Sequence, residues 1–150
     1  DAYQTATFSN TVRETVTVSS ANATANVNFD VITQGVLVYT SNASANTTIN
    51  FRGNSTVSLN TYMANNQSVS CVFMNTNGAT AYLPTVFQVD GAAVTPKWQG
   101  GSAPSAGNAS SIDAYSYNII KTANATFTVL FCALLNVKFK RLSKSGSSVK

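Results

Sequence analysis

Residues 25–31 read Ala25-Asn26-Val27-Asn28-Phe29-Asp30-Val31, and every second position is apolar. That period of two sets Val27, Phe29 and Val31 on one side of an extended chain and Asn26, Asn28 and Asp30 on the other, the pattern of a half-buried β-strand. The same alternation occurs upstream in Arg13-Glu14-Thr15-Val16-Thr17-Val18-Ser19 and downstream in Thr47-Thr48-Ile49-Asn50-Phe51-Arg52. Residues 35–40 form a short apolar run suited to an interior strand. Residues 68–74 are apolar on both sides, with Val69, Cys71 and Phe73 on one face and Val72 and Met74 on the other. Residues 85–90, 93–95, 112–121 and 126–135 bring the count to roughly nine short strands with turn signals every 8 to 12 residues, the signature of a sandwich or barrel.

The turns between these runs are equally legible. Gly53-Asn54 breaks one alternation, and Asp90-Gly91 has the chemistry of a hairpin turn. Asn77-Gly78 is the strongest short-range hairpin signal in the chain and predicts that residues 79–83 return as a strand. Residues 57–66 place Leu59, Tyr62 and Met63 at helical spacing and predict one short helix. Residues 99–111, with Gly100, Gly101, Pro104 and Gly107, predict one long loop. No exact repeat is visible, and nothing alternates strand with helix. The fold expected is all-β: an antiparallel β-sandwich, jelly-roll-like, with one long Gly/Ser/Pro loop, as a single domain over residues 1–137.

Composition agrees with this class. Of 150 residues only 9% are charged, against a typical value of about 25%, while the hydrophobic fraction is 44%. Asn, Thr, Ser and Ala replace Lys and Glu; they suit strand faces and turns better than helix surfaces. So few charges also point to a surface that meets other protein. The net charge of +4 is localised. Residues 1–137 hold four basic and five acidic groups, a net of −1, and the other five basic groups lie in residues 138–150. Lys138, Lys140, Arg141 and Lys144 thus belong to a basic tail, read first as a solvated end and second as an anchor on an acidic neighbour. The body has no basic stripe interleaved with aromatics, so no nucleic acid is expected as its main partner. Its most apolar stretch, residues 125–137, is too short for a bilayer, which takes about 20 residues, so no membrane insertion is expected. Asp1 stands where an initiating Met or a leader would, and localisation is not read from this end.

Chemistry is scarce. The absence of histidine removes the usual general base, the commonest metal ligand and every Ser-His or Cys-His pair. Cys71 and Cys132 are too few and too far apart for a zinc site; buried free thiols are their default, and a disulfide requires an oxidising compartment. Asp30, Asp90 and Asp113 are the carboxylates to weigh as a hydrolytic pair, yet Asp90 precedes Gly91 in a turn and Asp113 closes the long loop, where each has a structural task. Gly100-Gly101 is no phosphate loop, since no GxxxxGK[ST] is present. Seven Asn-x-Ser/Thr sequons follow from the Asn, Ser and Thr content. No enzyme, cofactor or metal is expected. Lys97-Trp98-Gln99 could form a stacking platform, although pinning the loop is the plainer task for the single Trp.

Two segments carry a resemblance. VNFDVITQGVLVYTSNA at 27–43, and more closely VTPKWQGGSAPSAGNASSIDAYSYNIIKTANATFTVL at 94–130, resemble virion structural proteins of marine tailed phages, cyanophages in particular. The resemblance implies a non-enzymatic particle component in a fibre, an appendage or a capsid decoration. It further implies a homo-oligomer in contact with other virion proteins, such as the major capsid or tail proteins, and located in the virion. It carries over no catalytic residue. Lys97, Trp98, Gln99, Gly100, Gly101, Asp113 and Tyr115 become loop architecture and contact surface. The chain departs after Leu130, continuing FCALLNVKFKRLSKSGSSVK. The alternative is a receptor-binding module at a fibre tip, with Trp98, Tyr115 and Tyr117 meeting host glycan or protein. A further alternative is a secreted cellular adhesin or pilus-like subunit, which requires an oxidised Cys71–Cys132 pair.

Overall fold

The computed structural model describes residues 13–134. They form ten strands, one short α-helix and one 3-10 turn at Gln99–Gly101: β1 Val16–Asn22, β2 Asn26–Asp30, β3 Val36–Ser41, β4 Thr47–Arg52, α1 Leu59–Tyr62, β5 Ser68–Asn77, β6 Pro84–Val89, β7 Ala92–Ala93, β8 Lys97–Trp98, β9 Ser111–Ala123 and β10 Thr126–Leu134. Two sheets result, one of six strands in the order β1-β3-β5-β9-β10-β8 and one of four in the order β2-β4-β6-β7.

The all-β class holds, but the pairing expected of it does not. β1 pairs with β3 and β3 with β5 in parallel, as do β2 with β4 and β4 with β6. Only β5–β9, β9–β10 and β6–β7 are antiparallel. Successive strands from β1 to β6 enter opposite sheets, so each strand's neighbour is the one two places on, running the same way. The path is a flattened coil with two strands per turn, closed by an antiparallel hairpin, in place of a jelly-roll wrap. Period-2 patterning states which face is buried, not which strand is adjacent, and cannot separate the two.

The coil leaves a mark in the sequence at its corners. Asn22-Ala23-Thr24-Ala25-Asn26 links β1 to β2, and Asn42-Ala43-Ser44-Ala45-Asn46 links β3 to β4. Ala23 and Ala43 are both buried there, and Asn22 Nδ2 donates to Ser44 Oγ at 2.8 Å across the two turns. Further along each turn, like stands beside like. Val27 pairs with Ile49 and Phe29 with Phe51, their rings 6.0 Å apart, and Asn50 Nδ2 donates to Asn28 Oδ1 at 3.0 Å. The third turn is longer, because residues 53–67 with α1 are inserted between β4 and β5.

The hairpin expected at Asn77-Gly78 does not form. Both edges of β5 are taken, by β3 and β9, and the chain crosses to the other sheet as β6. Asn77 is buried and locked, its Oδ1 accepting from Tyr82 N and its Nδ2 donating to Tyr82 O and Asp113 Oδ2. At Asp90-Gly91 the expected turn is present. Both residues take positive φ (51° and 81°), matching a two-residue hairpin between β6 and β7. The short helix is also present, and it is clamped. Asp90 accepts from Leu59 N and Asn60 N at 2.6 and 2.8 Å, while buried Lys121 Nζ donates to Asn60 O and Met63 O at 2.6 and 2.8 Å.

One core lies between the inner faces of the two sheets. Phe51 and Phe87 from the smaller sheet meet Tyr117 from the larger at 5.0 and 5.8 Å, and Phe131 joins Tyr117 at 5.0 Å. Edge-on pairs of this kind each contribute about 0.5–1.5 kcal/mol beyond the area they bury.

Candidate contact surface

Strand register decides what the outside of each sheet presents. In the smaller sheet the outward rows are Asn26-Thr48-Val86, Asn28-Asn50-Gln88 and Asp30-Arg52. Asp30 and Arg52 form an ion pair at 2.6 Å, and that pairing raises the Arg52 pKa. This face is polar and suited to water.

The outside of the six-stranded sheet is built from different residues. One row runs Val16-Val36-Val72-Ser116-Cys132 across β1, β3, β5, β9 and β10, and the next runs Val18-Val38-Met74-Ala114. Thr76-Ile112 and Ser70-Asn118-Leu130 flank them. All these side chains are exposed or half-buried, with Val18 64% and Val16 50% accessible. Among the described residues, the charges at this face stand at its margins: Lys97 opposite Leu130 at the β8 edge, and Glu14, which lines a pocket with Gln34 and Ser70 beside the start of β1. An outward sheet face in an isolated domain ordinarily alternates to polar residues; the two central rows of this one are apolar over β1, β3 and β5, and turn mixed on β9 with Ser116 and Asn118. The visible signal was residues 68–74, apolar on both sides, but the partners Val36 and Val16 could be placed beside Val72 only once the parallel register was known.

At the β8 edge the sequence-predicted residues Lys97, Trp98 and Gln99 do come together. They line a groove of about 390 Å³ with Ser116, Asn118, Leu130, Phe131 and Cys132. Trp98 is held edge-on by Phe131 at 4.6 Å and Phe87 at 5.6 Å, so it pins β8 to the core while leaving one side half-exposed. Gln99 Oε1 lies 2.7 Å from Cys132 Sγ. Gly100 and Gly101 take φ of 76° and 80°, a backbone that requires glycine.

Asp113, Tyr115 and Tyr117 do not belong to this surface, and their expected contact role is corrected. All three are buried, at 0%, 0% and 1% exposure, because alternate positions of β9 from Asp113 onward point inward. Asp113 anchors the long loop. Its carboxylate accepts from Asn108 N at 2.9 Å, Asn108 Nδ2 at 2.7 Å, Asn77 Nδ2 at 3.1 Å and Tyr115 OH at 3.3 Å, all uncharged donors. Burial raises the Tyr115 pKa, with the Asp113 charge and hydrogen bond adding to it. Burial likewise holds Tyr117 well above the ordinary tyrosine value, its neighbours Tyr115 and Cys71 adding to the effect. Cys71 is buried on the inner side and its thiol is pushed up to about 12 by burial. Cys132 is half-exposed on the outer side, which corrects the expectation of two buried thiols; both are free, and the sheet separates them. Lys138, Lys140, Arg141 and Lys144 lie outside the described residues.

Among the described residues no three His, Cys, Asp or Glu side chains gather as metal ligands, and no helix is long and apolar enough to cross a membrane. Comparison with family models, with curated proteins and with solved structures returns no match.

Proposed function

We propose that this chain is a non-enzymatic structural module on the outside of a tailed-phage particle, a capsid decoration or a fibre component, acting through protein–protein contact. One observation carries the contact reading: the outer face of the six-stranded sheet is apolar and uncharged in its two central rows over β1, β3 and β5, while the outer face of the other sheet is polar. A difference this sharp between two outward faces of one domain fits a face that is covered in use. The virion as the setting follows from the resemblance of residues 27–43 and 94–130, and the sparse charge of the body agrees with it. Quantitative mass spectrometry of purified virions tests it. A copy number of the same order as the major capsid protein supports a decoration, and a far lower one supports a fibre or appendage. Absence from the particle refutes the proposal.

The groove beside Trp98 favours a second reading, receptor binding at a fibre tip. Its apolar floor and flanking Lys97 and Gln99 suit a sugar ring or a small apolar side chain. Binding to host glycans that is lost in Lys97→Ala and Gln99→Ala, with folding intact, would support it. An adhesin stabilised by a Cys71–Cys132 bond is not compatible with two thiols on opposite sides of the sheet.

A further inference from the structure

We infer that the outer face of the six-stranded sheet is covered by the same face of a second copy of this chain, sheet against sheet, about a two-fold axis passing near Val72 and Met74. The inference rests on the contact reading above and commits it to one partner. Charge is the first argument. A two-fold contact sets a face against itself, so any Lys or Glu inside it would meet its like or lose its water unpaired. None occurs in the rows of Val16, Val18, Val36, Val38, Val72 and Met74, and the two nearest charges, Lys97 and Glu14, stand at the margins.

Area is the second argument. The face spans β1, β3, β5, β9 and β10, five strands about 4.8 Å apart, and four outward rows on β5 at Ser70, Val72, Met74 and Thr76. That is roughly 24 Å by 24 Å, so two copies cover about 1,100 Å² before the relief of side chains is added, above the roughly 1,000 Å² that a specific interface needs. The face is also rigid: five of the six central side chains are valine, whose branched β-carbon leaves little rotamer freedom to lose on contact. The basic tail is a poor rival occupant, because the central rows have no carboxylate to meet Lys138, Lys140, Arg141 and Lys144, and Glu14 at the margin is a single one.

Sedimentation equilibrium of the full chain tests this. The wild type is expected as a dimer at micromolar concentration, and Val72→Lys as a monomer with unchanged circular dichroism, since Val72 lies outside the core. In a Cys132→Ser background, Met74→Cys is expected to give a disulfide-linked dimer on mild oxidation, because the axis sets position 74 beside its copy. A wild type still monomeric at about 100 µM, a Val72→Lys variant that remains a dimer, or a Met74→Cys protein that does not cross-link each overturns the inference. A wild-type monomer that becomes a dimer when residues 1–12 are removed also overturns it, by assigning the face to the chain's own beginning. Were the monomeric wild type found in virions and Val72→Lys excluded from them, the contact reading would stand with a different partner. Absence of the wild type from virions would end the virion reading whatever its oligomeric state.

Discussion

Raising the pH above neutrality should destabilise the folded chain, and a single thiol should account for about half of the loss by pH 10.5. Cys71 sits on the inner face of β5 with its thiol pushed up to about 12, whereas an ordinary thiol titrates at 9.0. A group whose folded value is raised supports the fold below its unfolded value and loses that support as pH climbs between the two. At a pH of about 10.5 the unfolded chain has released the Cys71 proton and the folded chain has kept it, a difference of about 2 kcal/mol relative to pH 8. Tyr115 and Tyr117 act in the same direction, both raised mainly by burial, and together add a further loss of about 2 kcal/mol at that pH. Urea unfolding between pH 7.5 and 10.5 under reducing conditions measures the sum as a loss of about 4 kcal/mol. Cys71→Ala removes the thiol proton and leaves a small void. Its curve should start lower at pH 7.5 by a fixed amount and fall about half as steeply. Wild-type and Cys71→Ala stabilities that fall in parallel would refute the assignment of Cys71 to a dry core.

Other substitutions probe other parts of the frame. Phe51→Ala removes a ring that packs on Phe29 and Tyr117 and should cost about 3–5 kcal/mol in urea unfolding. Gly107→Ala places a methyl 2.6 Å from Tyr82 O and 3.0 Å from Asp113 Oδ2, so the loop must lift. It should cost about 1–3 kcal/mol and speed hydrogen exchange at the Asn108 amide. Asp90→Ala frees the Leu59 and Asn60 amides at about 1–2 kcal/mol, and Lys121→Met strips Asn60 O and Met63 O of a donor at about 1–3 kcal/mol. Because both act on one helical turn, the double variant should lose less than the two single losses combined.

Most of the strands and the Asp90-Gly91 turn were visible in the chain, because alternation and Asp-Gly act over neighbouring residues. The parallel pairing was not. Val16 meets Val36 and Val36 meets Val72, partners 20 and 36 residues apart, and unequal spacing hides a coil from any fixed-period search. The corner pair Asn22-Ala23-Thr24-Ala25-Asn26 and Asn42-Ala43-Ser44-Ala45-Asn46 was the available clue, obscured by the abundance of Asn, Ser, Thr and Ala elsewhere. Asn77-Gly78 misled because turn propensity is local, whereas occupation of both β5 edges is not. At the contact surface, Lys97, Trp98 and Gln99 were legible as a cluster because they are consecutive. Asp113, Tyr115 and Tyr117 were mistaken for surface because inward-facing Tyr on a long central strand looks the same as outward-facing Tyr until its neighbours are known. The apolar outer face was divided among β1, β3 and β5, and no one segment displayed it.

The coil also bears on the order of folding. β9 and β10 are joined by a two-residue turn at Asn124-Ala125, so their hairpin closes over a short loop and forms early, on the scale of microseconds. β5 can then dock on β9, β3 on β5 and β1 on β3, each addition needing the edge that the one before supplies. If that hairpin nucleates the larger sheet, assembly runs from the later strands toward the earlier ones, opposite to the direction in which a ribosome makes them. At about 5–20 residues per second, β1 to β4 wait several seconds as apolar, nearly uncharged segments before the strands they need emerge. During synthesis this leaves the chain open to aggregation and to holdase chaperones, and loss of its last strands should be more damaging than loss of its first.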